Sequence, residues 1–283
     1  MTNRRKKILL AFGTRPEAIK MCPLVNVLKA RPDEFEVTVC VTGQHREMLK
    51  QVLDVFNVVP EFDLDIMKPG QTLFDITCSV LQGIKEVIGQ IGPDIVLVHG
   101  DTSTSFAAAL ASFYLHVPVG HVEAGLRTRN LSSPWPEEFN RQAVDIIADY
   151  YFAPTQKAKS NLLAEQKPLA KIYVTGNTGI DALRTTVNHR YENEHLDWAM
   201  GSRLILITAH RRENLGNPMH EMFRAIRRAM EEHPDTKAIY PIHMNPRVRS
   251  AAHAELDGFD RLRIIEQECK CVVNLLLGSS NQL

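Results

Sequence analysis

The sequence predicts an α/β protein built on open parallel sheets with helices on both faces, and three observations carry that prediction. Apolar runs of strand length alternate with helical stretches from end to end. Residues 94–99 are almost continuously apolar, as in a strand buried on both sides. Asp101, Glu123 and Glu137 stand at successive element exits, and in such sheets ligands bind at the carboxyl ends of the strands. Three acids delivered there point to chemistry on a polar substrate.

In order along the chain, residues 7–12 read as a first strand and 16–29 as a helix, in which Pro23 removes a donor and predicts a kink or restart. Residues 36–42 are a second strand, 46–56 a helix and 62–66 a short extended piece. Leu73, Ile76, Val80, Ile84, Val87 and Ile91 recur three or four apart, which makes residues 71–91 an amphipathic helix. After the strand at 94–99, residues 107–115 form a small-residue helix able to pack close to the sheet. A strand follows at 117–122, and 125–136 has the Gly, Asn, Ser and Pro content of a loop. A helix at 137–148, a strand at 150–153, another helix and a strand at 172–175 complete the register.

The chain's 283 residues, 44% hydrophobic and 23% charged, suit a globular protein of two domains. We place the first domain at 1–175, a connection at 176–201 whose polar helix carries His189 and Arg190, a second α/β domain at 202–266 and a divergent tail at 267–283. The second domain reads as strands at 204–207, 237–240 and 262–265 with helices at 218–232 and 246–255. Lys plus Arg and Asp plus Glu both number 33, so no overall basic field argues for nucleic acid, and anion binding must be local. The apolar run near the N-terminus is too short for a signal-peptide core, and no stretch has the roughly 18 apolar residues of a membrane span. Five cysteines are odd in number: Cys22, Cys40 and Cys78 lack metal spacing, and Cys269 and Cys271 form a lone C-x-C for which zinc would need further ligands, which fits a reducing cytoplasm.

Each candidate site residue has a plain structural reading beside the functional one. The turn from Gly13 to Glu17 joins strand to helix, so free backbone donors and Arg15 could meet an anion, with Lys20 one turn on; otherwise it is an ordinary turn with a surface Arg. Asp101 sits where a carboxylate commonly caps a helix. Glu123 ends a strand with no capping demand, which favours a buried or functional carboxylate. Glu137 and Glu138 open a helix, where the dipole favours acids. His99 and His121 each precede an acid by two residues, which by strand alternation places them on its face; a metal site and satisfied core imidazoles are the two readings, and the second is preferred because no compact ligand motif accompanies them. His210, with Arg211 and Arg212, follows the first strand of the second domain and could serve as an acid or hold a leaving phosphate across a cleft; the plain reading is an exposed basic turn with one salt bridge. His243 repeats the placement after the next strand, or shapes a loop before Asn245-Pro246.

The strings FGTRPEAIK, TGQHREML, VLVHGDTSTS, VGHVEAGLRT, SPWPEEFNR, VTGNTGIDAL, TAHRREN and YPIHMNP together resemble the non-hydrolysing bacterial UDP-N-acetylglucosamine 2-epimerases over roughly residues 7–266. The resemblance implies a glycosyltransferase-B type fold, two Rossmann-like doubly wound domains with the second incomplete here, usually in a homodimer serving cell-envelope polysaccharide synthesis. It implies interconversion of UDP-GlcNAc and UDP-ManNAc through loss of UDP to a 2-acetamidoglucal and re-addition, with no cofactor or metal. Asp101, Glu123, Glu137 and His210 match the family's catalytic positions, and Arg15 and Lys20 its anion-handling ones. For a second, activating UDP-GlcNAc, Gln44, Glu137, Arg211 and His243 match, whereas Glu47 replaces a Gln and Gly70 an Arg, both of which weaken attraction for a nucleotide anion.

Family members continue past this point with a DSGG-x-QEEA segment, a TERPE segment and a closing helix. Here QECKCVVNLLLGSSNQL follows Glu266, an onset that reads as a frameshift, a truncated frame or an altered transcript. A sheet ending at its third strand predicts an exposed edge, a second domain of low stability and impaired activity. The alternatives are a catalytically dead remnant that binds little nucleotide sugar, and a hydrolysing relative that releases ManNAc and UDP.

Overall fold

The computed structural model describes residues 4–43, 46–68, 70–186, 194–209 and 214–266, the side chains of 46–48 and 186 excepted. The chain divides into two compact units, Met1–Thr185 and Thr186–Leu283.

In the first unit, β1 (Lys6–Phe12), β2 (Phe35–Val41), β3 (Phe62–Asp63), β4 (Ile95–His99), β5 (Val119–Val122), β6 (Tyr150–Ala153) and β7 (Ile172–Val174) form one parallel sheet in the order β3-β2-β1-β4-β5-β6-β7. The winding direction reverses between β1 and β4. At such a reversal the flanking loops splay apart and leave a crevice at the strands' carboxyl ends. The helices are α1 (Arg15–Lys29), α2 (Arg46–Val55), α3 (Leu73–Ile91), α4 (Ser103–Tyr114), α5 (Glu137–Ile147), α6 (Gln156–Ala164) and α7 (Thr178–Thr186).

The core explains these choices. Leu9, Val96 and Val98 are fully buried beneath Val80, Ile84 and Val87 of α3 and Ala107, Ala108 and Ala111 of α4. The alanine face lets α4 approach both the sheet and α3, as its small residues predict. Helix α3 opens on Thr72, whose Oγ1 accepts from Asp75 N at 3.3 Å while Asp75 Oδ2 accepts from Thr72 N at 2.8 Å. This reciprocal cap satisfies two end groups that would otherwise lack partners.

The second unit contains β8 (Arg203–Leu206), β9 (Thr236–Ile242) and β10 (Leu262–Glu266), parallel in the order β10-β9-β8, with α8 (Glu194–Ala199), α9 (Asn217–Glu232) and α10 (Pro246–Leu256). Met219, Phe223 and Met230 of α9 pack on Tyr240 and Val248 in a core of its own.

Some expectations need correction. Helix α1 runs unbroken through Pro23, because the ring removes a single donor and the flanking turns keep theirs. Helix α4 starts four residues early, at Ser103, since Thr102 supplies a cap that the apolar pattern does not reveal. The extended piece expected at 62–66 pairs only as Phe62–Asp63, and the strand expected from 117 begins at Val119. The polar helix at the connection ends as α7, and its residues 187–193 lie outside the described residues, as does the tail at 267–283.

Candidate active site

A cavity of about 320 Å³ opens at the reversal point of the first sheet. The loop after β1 and the start of α1 bring Thr14, Glu17 and Lys20; the end of β4 and the turn after it bring His99, Asp101, Thr102 and Ser103; Glu123 follows β5; Pro136, Glu137 and Asn140 come from the start of α5. Lys20 and the three acids singled out from sequence therefore share one cavity. Arg15 is not among its lining residues, although it stands one turn from Lys20.

Glu17 organises the entrance. Its Oε2 accepts from Gly13 N at 3.0 Å and Thr14 N at 2.7 Å, and its Oε1 from Thr102 Oγ1 at 2.7 Å and Ser105 Oγ at 2.9 Å. One carboxylate, 1% exposed, thus locks the loop after β1 to the start of α4. The backbone donors expected to meet an external anion at Gly13 and Thr14 are taken by the chain's own acid, which corrects that reading. The strand end also needs glycine at 13, where a Cβ would lie 1.9 Å from Thr42 Oγ1.

Asp101 does not cap α4. Thr102 does, accepting from Ser105 N at 3.0 Å, and the Asp101 carboxylate is left to pair with Arg141 Nη2. Asn140 Nδ2 also donates to the Asp101 carbonyl at 2.9 Å. Arg141 reaches Glu138 Oε2 at 3.3 Å from its other nitrogen, Nη1. The two adjacent acids of α5 have separate tasks: Glu138 is buried and accepts from Thr128 N at 3.0 Å and Arg129 N at 2.9 Å, pinning the long loop, while Glu137 faces the cavity with no ion pair among the described residues.

Glu123 has φ of +68°, a left-handed backbone that costs a residue with a Cβ about 1–3 kcal/mol unless its surroundings enforce it. They do: Glu123 N and Ala124 N both donate to Phe152 O, at 3.0 and 3.1 Å, and the next residue is tied to Asp145. The conformation breaks strand alternation, so the side chain is aimed by its backbone rather than by its place in β5. Its Oε2 pairs with Lys20 Nζ and lies 3.7 Å from His99 Nε2. Burial pushes this carboxyl up, but His99 and Lys20 outweigh burial and hold it down at about 2. Glu123 is a carboxylate at neutral pH.

The two strand histidines differ. His121 is buried, with Nδ1 2.6 Å from Asp145 Oδ1 and Nε2 2.8 Å from Gly100 O, so both ring nitrogens are committed to core acceptors. Asp145 also accepts from Gly125 N at 3.1 Å and Arg127 Nη2 at 2.7 Å, and thereby fixes the turns that carry both Asp101 and Glu123. His99 faces Glu123 of the neighbouring strand's exit instead of Asp101, and among the described residues neither of its ring nitrogens has a hydrogen-bond partner. No group of three His, Cys, Asp or Glu side chains converges as a metal site among the described residues.

In the second unit, His243 Nδ1 accepts from Asn245 N at 3.1 Å and Asn245 Oδ1 from Arg247 N at 3.0 Å, so this histidine does shape the loop into α10. His210, Arg211, Arg212 and Gln44 lie outside the described residues, as does the Glu47 side chain. Gly70 has φ of +74° in open space, a backbone disfavoured for an Arg. Sequence reasoning missed Glu17, Arg141 and Asn140 as members of the site; the Asn-Arg pair one turn after two helix-opening acids was the available signal.

The family model for UDP-N-acetylglucosamine 2-epimerase matches residues 26–276. The UDP-N-acetylglucosamine 2-epimerase of Bacillus subtilis strain 168 is 56% identical over 263 residues, covering 93% of this chain and 69% of that relative. The crystal structure of a UDP-N-acetylglucosamine 2-epimerase from Listeria monocytogenes superposes with a TM-score of 0.89 at 57% identity, over 93% of this chain and 69% of that one. The Neisseria meningitidis UDP-GlcNAc 2-epimerase, solved with UDP-GlcNAc bound, gives a TM-score of 0.86 at 43% identity, over 94% of this chain and 74% of that one. With a doubly wound sheet of this order, its acids gathered at the reversal point, and matches of this extent, the chain belongs to the UDP-N-acetylglucosamine 2-epimerase family.

Proposed function

We propose that the cavity holds the sugar of UDP-GlcNAc or UDP-ManNAc and inverts its C2 centre by eliminating and re-adding UDP, without hydrolysis. The observation that carries this reading is the convergence on a single cavity of Asp101, Glu123 and Glu137 with Lys20 and His99, whose ring nitrogens have no hydrogen-bond partner among the described residues. The C2 hydrogen is not adjacent to a carbonyl, so its removal needs the C1 substituent to depart. A base takes the C2 proton, the C2–H electrons form the C1–C2 double bond, and the C1–O pair leaves with UDP. Re-addition of a UDP oxygen at C1, with protonation of C2 on the other face, completes the inversion.

The residues divide that work. Positive charge building at C1 is stabilised by the carboxylates of the cavity, and the two proton transfers need groups in different protonation states. Asp101 is paired with Arg141, Glu123 with Lys20, and Glu137 carries no ion pair among the described residues, so the three acids start from three different environments. Lys20, a cation on the cavity wall, answers the diphosphate. The resemblance further proposes Arg15 and His210 for handling the diphosphate, and Gln44, Arg211 and His243 for an activating nucleotide sugar.

The test is to incubate the chain with UDP-GlcNAc in deuterated water. UDP-ManNAc carrying deuterium at C2 is expected, and Glu123→Gln should lower its formation by about 10²- to 10⁴-fold. Free ManNAc and UDP would transfer the chain to the hydrolysing reaction. Absence of both deuterium exchange and turnover, with UDP still binding by calorimetry, would refute the activity.

A further inference from the structure

Two features around Glu123 are unexplained by the site as described. Among the described residues Lys20 is the one Lys or Arg lining the cavity, yet its ammonium is tied to Glu123 Oε2. His99, whose side chain is 5% exposed, has both ring nitrogens unbonded among the described residues while its Nε2 stands 3.7 Å from that same oxygen. An unsatisfied buried polar group is costly, so an imidazole left short of an acceptor by so small a gap is an arrangement awaiting another partner.

We propose that Glu123 changes partner during the reaction: Lys20 holds its carboxylate in the arrangement seen here, and His99 takes the carboxylate over when Lys20 turns to the diphosphate of the bound nucleotide. The inference rests on the proposed reading of the cavity as a nucleotide-sugar site. A diphosphate beside Asp101, Glu123 and Glu137 needs a cation, and Lys20 is the lining residue that supplies one. An ammonium cannot stay on a single carboxylate oxygen and also serve a phosphate with undiminished contact, because its attraction falls with distance from each. His99 then closes less than 1 Å to reach hydrogen-bond distance, Nε2 donating to Oε2.

The exchange has a chemical consequence. With both His99 and Lys20 beside it the carboxyl is held at about 2 and is a feeble base. Withdrawal of the ammonium removes one of the two groups that hold the carboxyl down, so Glu123 becomes a better base for the C2 proton when the leaving group is seated. Proton removal is thereby tied to the departure of UDP, whose C1–O electron pair must leave as the C2–H pair forms the double bond. His99 acts through Glu123 and is a positioning residue.

The experiment is ¹⁵N NMR of the histidine side chains in the full chain, the His99 signals being those lost in His99→Gln. Lys20→Met removes the ammonium without any ligand, and the His99 Nε2 signal should then move to the position of a ring bonded to carboxylate. Lys20→Arg, which keeps a cation on Glu123, should leave it unmoved, and the double variant Lys20→Met, Glu123→Gln should abolish the movement. Adding UDP to the unmodified chain at saturating concentration should reproduce the Lys20→Met shift. An unmoved His99 signal in Lys20→Met overturns the partner change, as does UDP binding by calorimetry without a shift, while the epimerase reading stands. A shift in Lys20→Met with no UDP binding supports the partner change and sinks the nucleotide reading instead.

Discussion

Replacing Asp145 with asparagine tests whether the buried network beneath the site supports the fold as well as the chemistry. The carboxylate has no exposure and takes three donors, from His121 Nδ1 at 2.6 Å, Arg127 Nη2 at 2.7 Å and Gly125 N at 3.1 Å. Asparagine keeps the volume but loses the charge and turns one acceptor into an NH2 group that faces a donor. Breaking a buried pair from one side costs about 3–5 kcal/mol. At about 2–4 °C per kcal/mol for a unit of this size, melting should fall by roughly 6–20 °C. Scanning calorimetry on Asp145→Asn reads this directly. The pH dependence adds a check: burial raises the Asp145 carboxyl, but His121 and Arg127 outweigh it and hold the folded value below the ordinary one. The contribution is therefore present above the unfolded pKa near 3.9 and is lost as pH falls through the folded value, so wild type and variant should converge only in strong acid. A drop in stability under about 1 kcal/mol at pH 7 would refute the claim that this carboxylate is the network's anchor.

Two further predictions follow from the geometry. Glu123, held at about 2, should stay ionised through the range where ordinary glutamates protonate, so ¹³C carboxyl NMR from pH 6 to 3 should show a non-titrating glutamate signal that disappears in Glu123→Gln, beside that of Glu255, which Arg224 and His220 also hold at about 2; the Lys20 pair persists above the usual value and is lost only as pH falls toward 2. Gly125→Ala places a Cβ 2.4 Å from Ala158 O at φ of +85°, whereas Gly100→Ala at φ of +66° meets nothing within 4 Å. Gly100→Ala should cost only the backbone penalty of about 1–2 kcal/mol, and urea unfolding should show a larger loss for Gly125→Ala; equal losses would mean the α6 backbone yields freely.

What was legible in the sequence follows from how local each cause is. Strands such as β4 and β9 declare themselves because a run of apolar residues has few places to go but a sheet interior. Asp101, Glu123 and Glu137 were visible because they sit at element exits, which the alternation of strands and helices locates to within a residue or two. The same resolution failed for the cap of α4, where Asp101 and Thr102 are both capable and only geometry shows that the hydroxyl is used. Glu17 was illegible as a clamp because its partners Thr102 and Ser105 lie 85 and 88 residues away. Arg141 was likewise hidden, since its pairing with Asp101 spans 40 residues and crosses from the end of one β–α unit to the start of another helix.

The strained residue shows why local and global evidence part at the site. Nothing in VGHVEAG announces a left-handed Glu123; a glutamate gains nothing locally from φ of +68°, and a glycine would sit there at lower cost. The conformation is imposed from outside, by Phe152 O accepting from both Glu123 and Ala124, by Asp145 holding Gly125 N, and by Asn161 Nδ2 donating to Gly125 O at 2.9 Å. Those partners belong to β6, α5 and α6, so three separate elements must be in place before the carboxylate can be aimed at Lys20 and His99. The same Asp145 reaches through His121 to Gly100 O, beside Asp101. Two acids on different strands are therefore set by one buried group, and a perturbation at Asp145 should displace them together rather than singly. In the proposed inversion at C2, the two faces of the carbon are served well only if the groups addressing them keep a fixed separation.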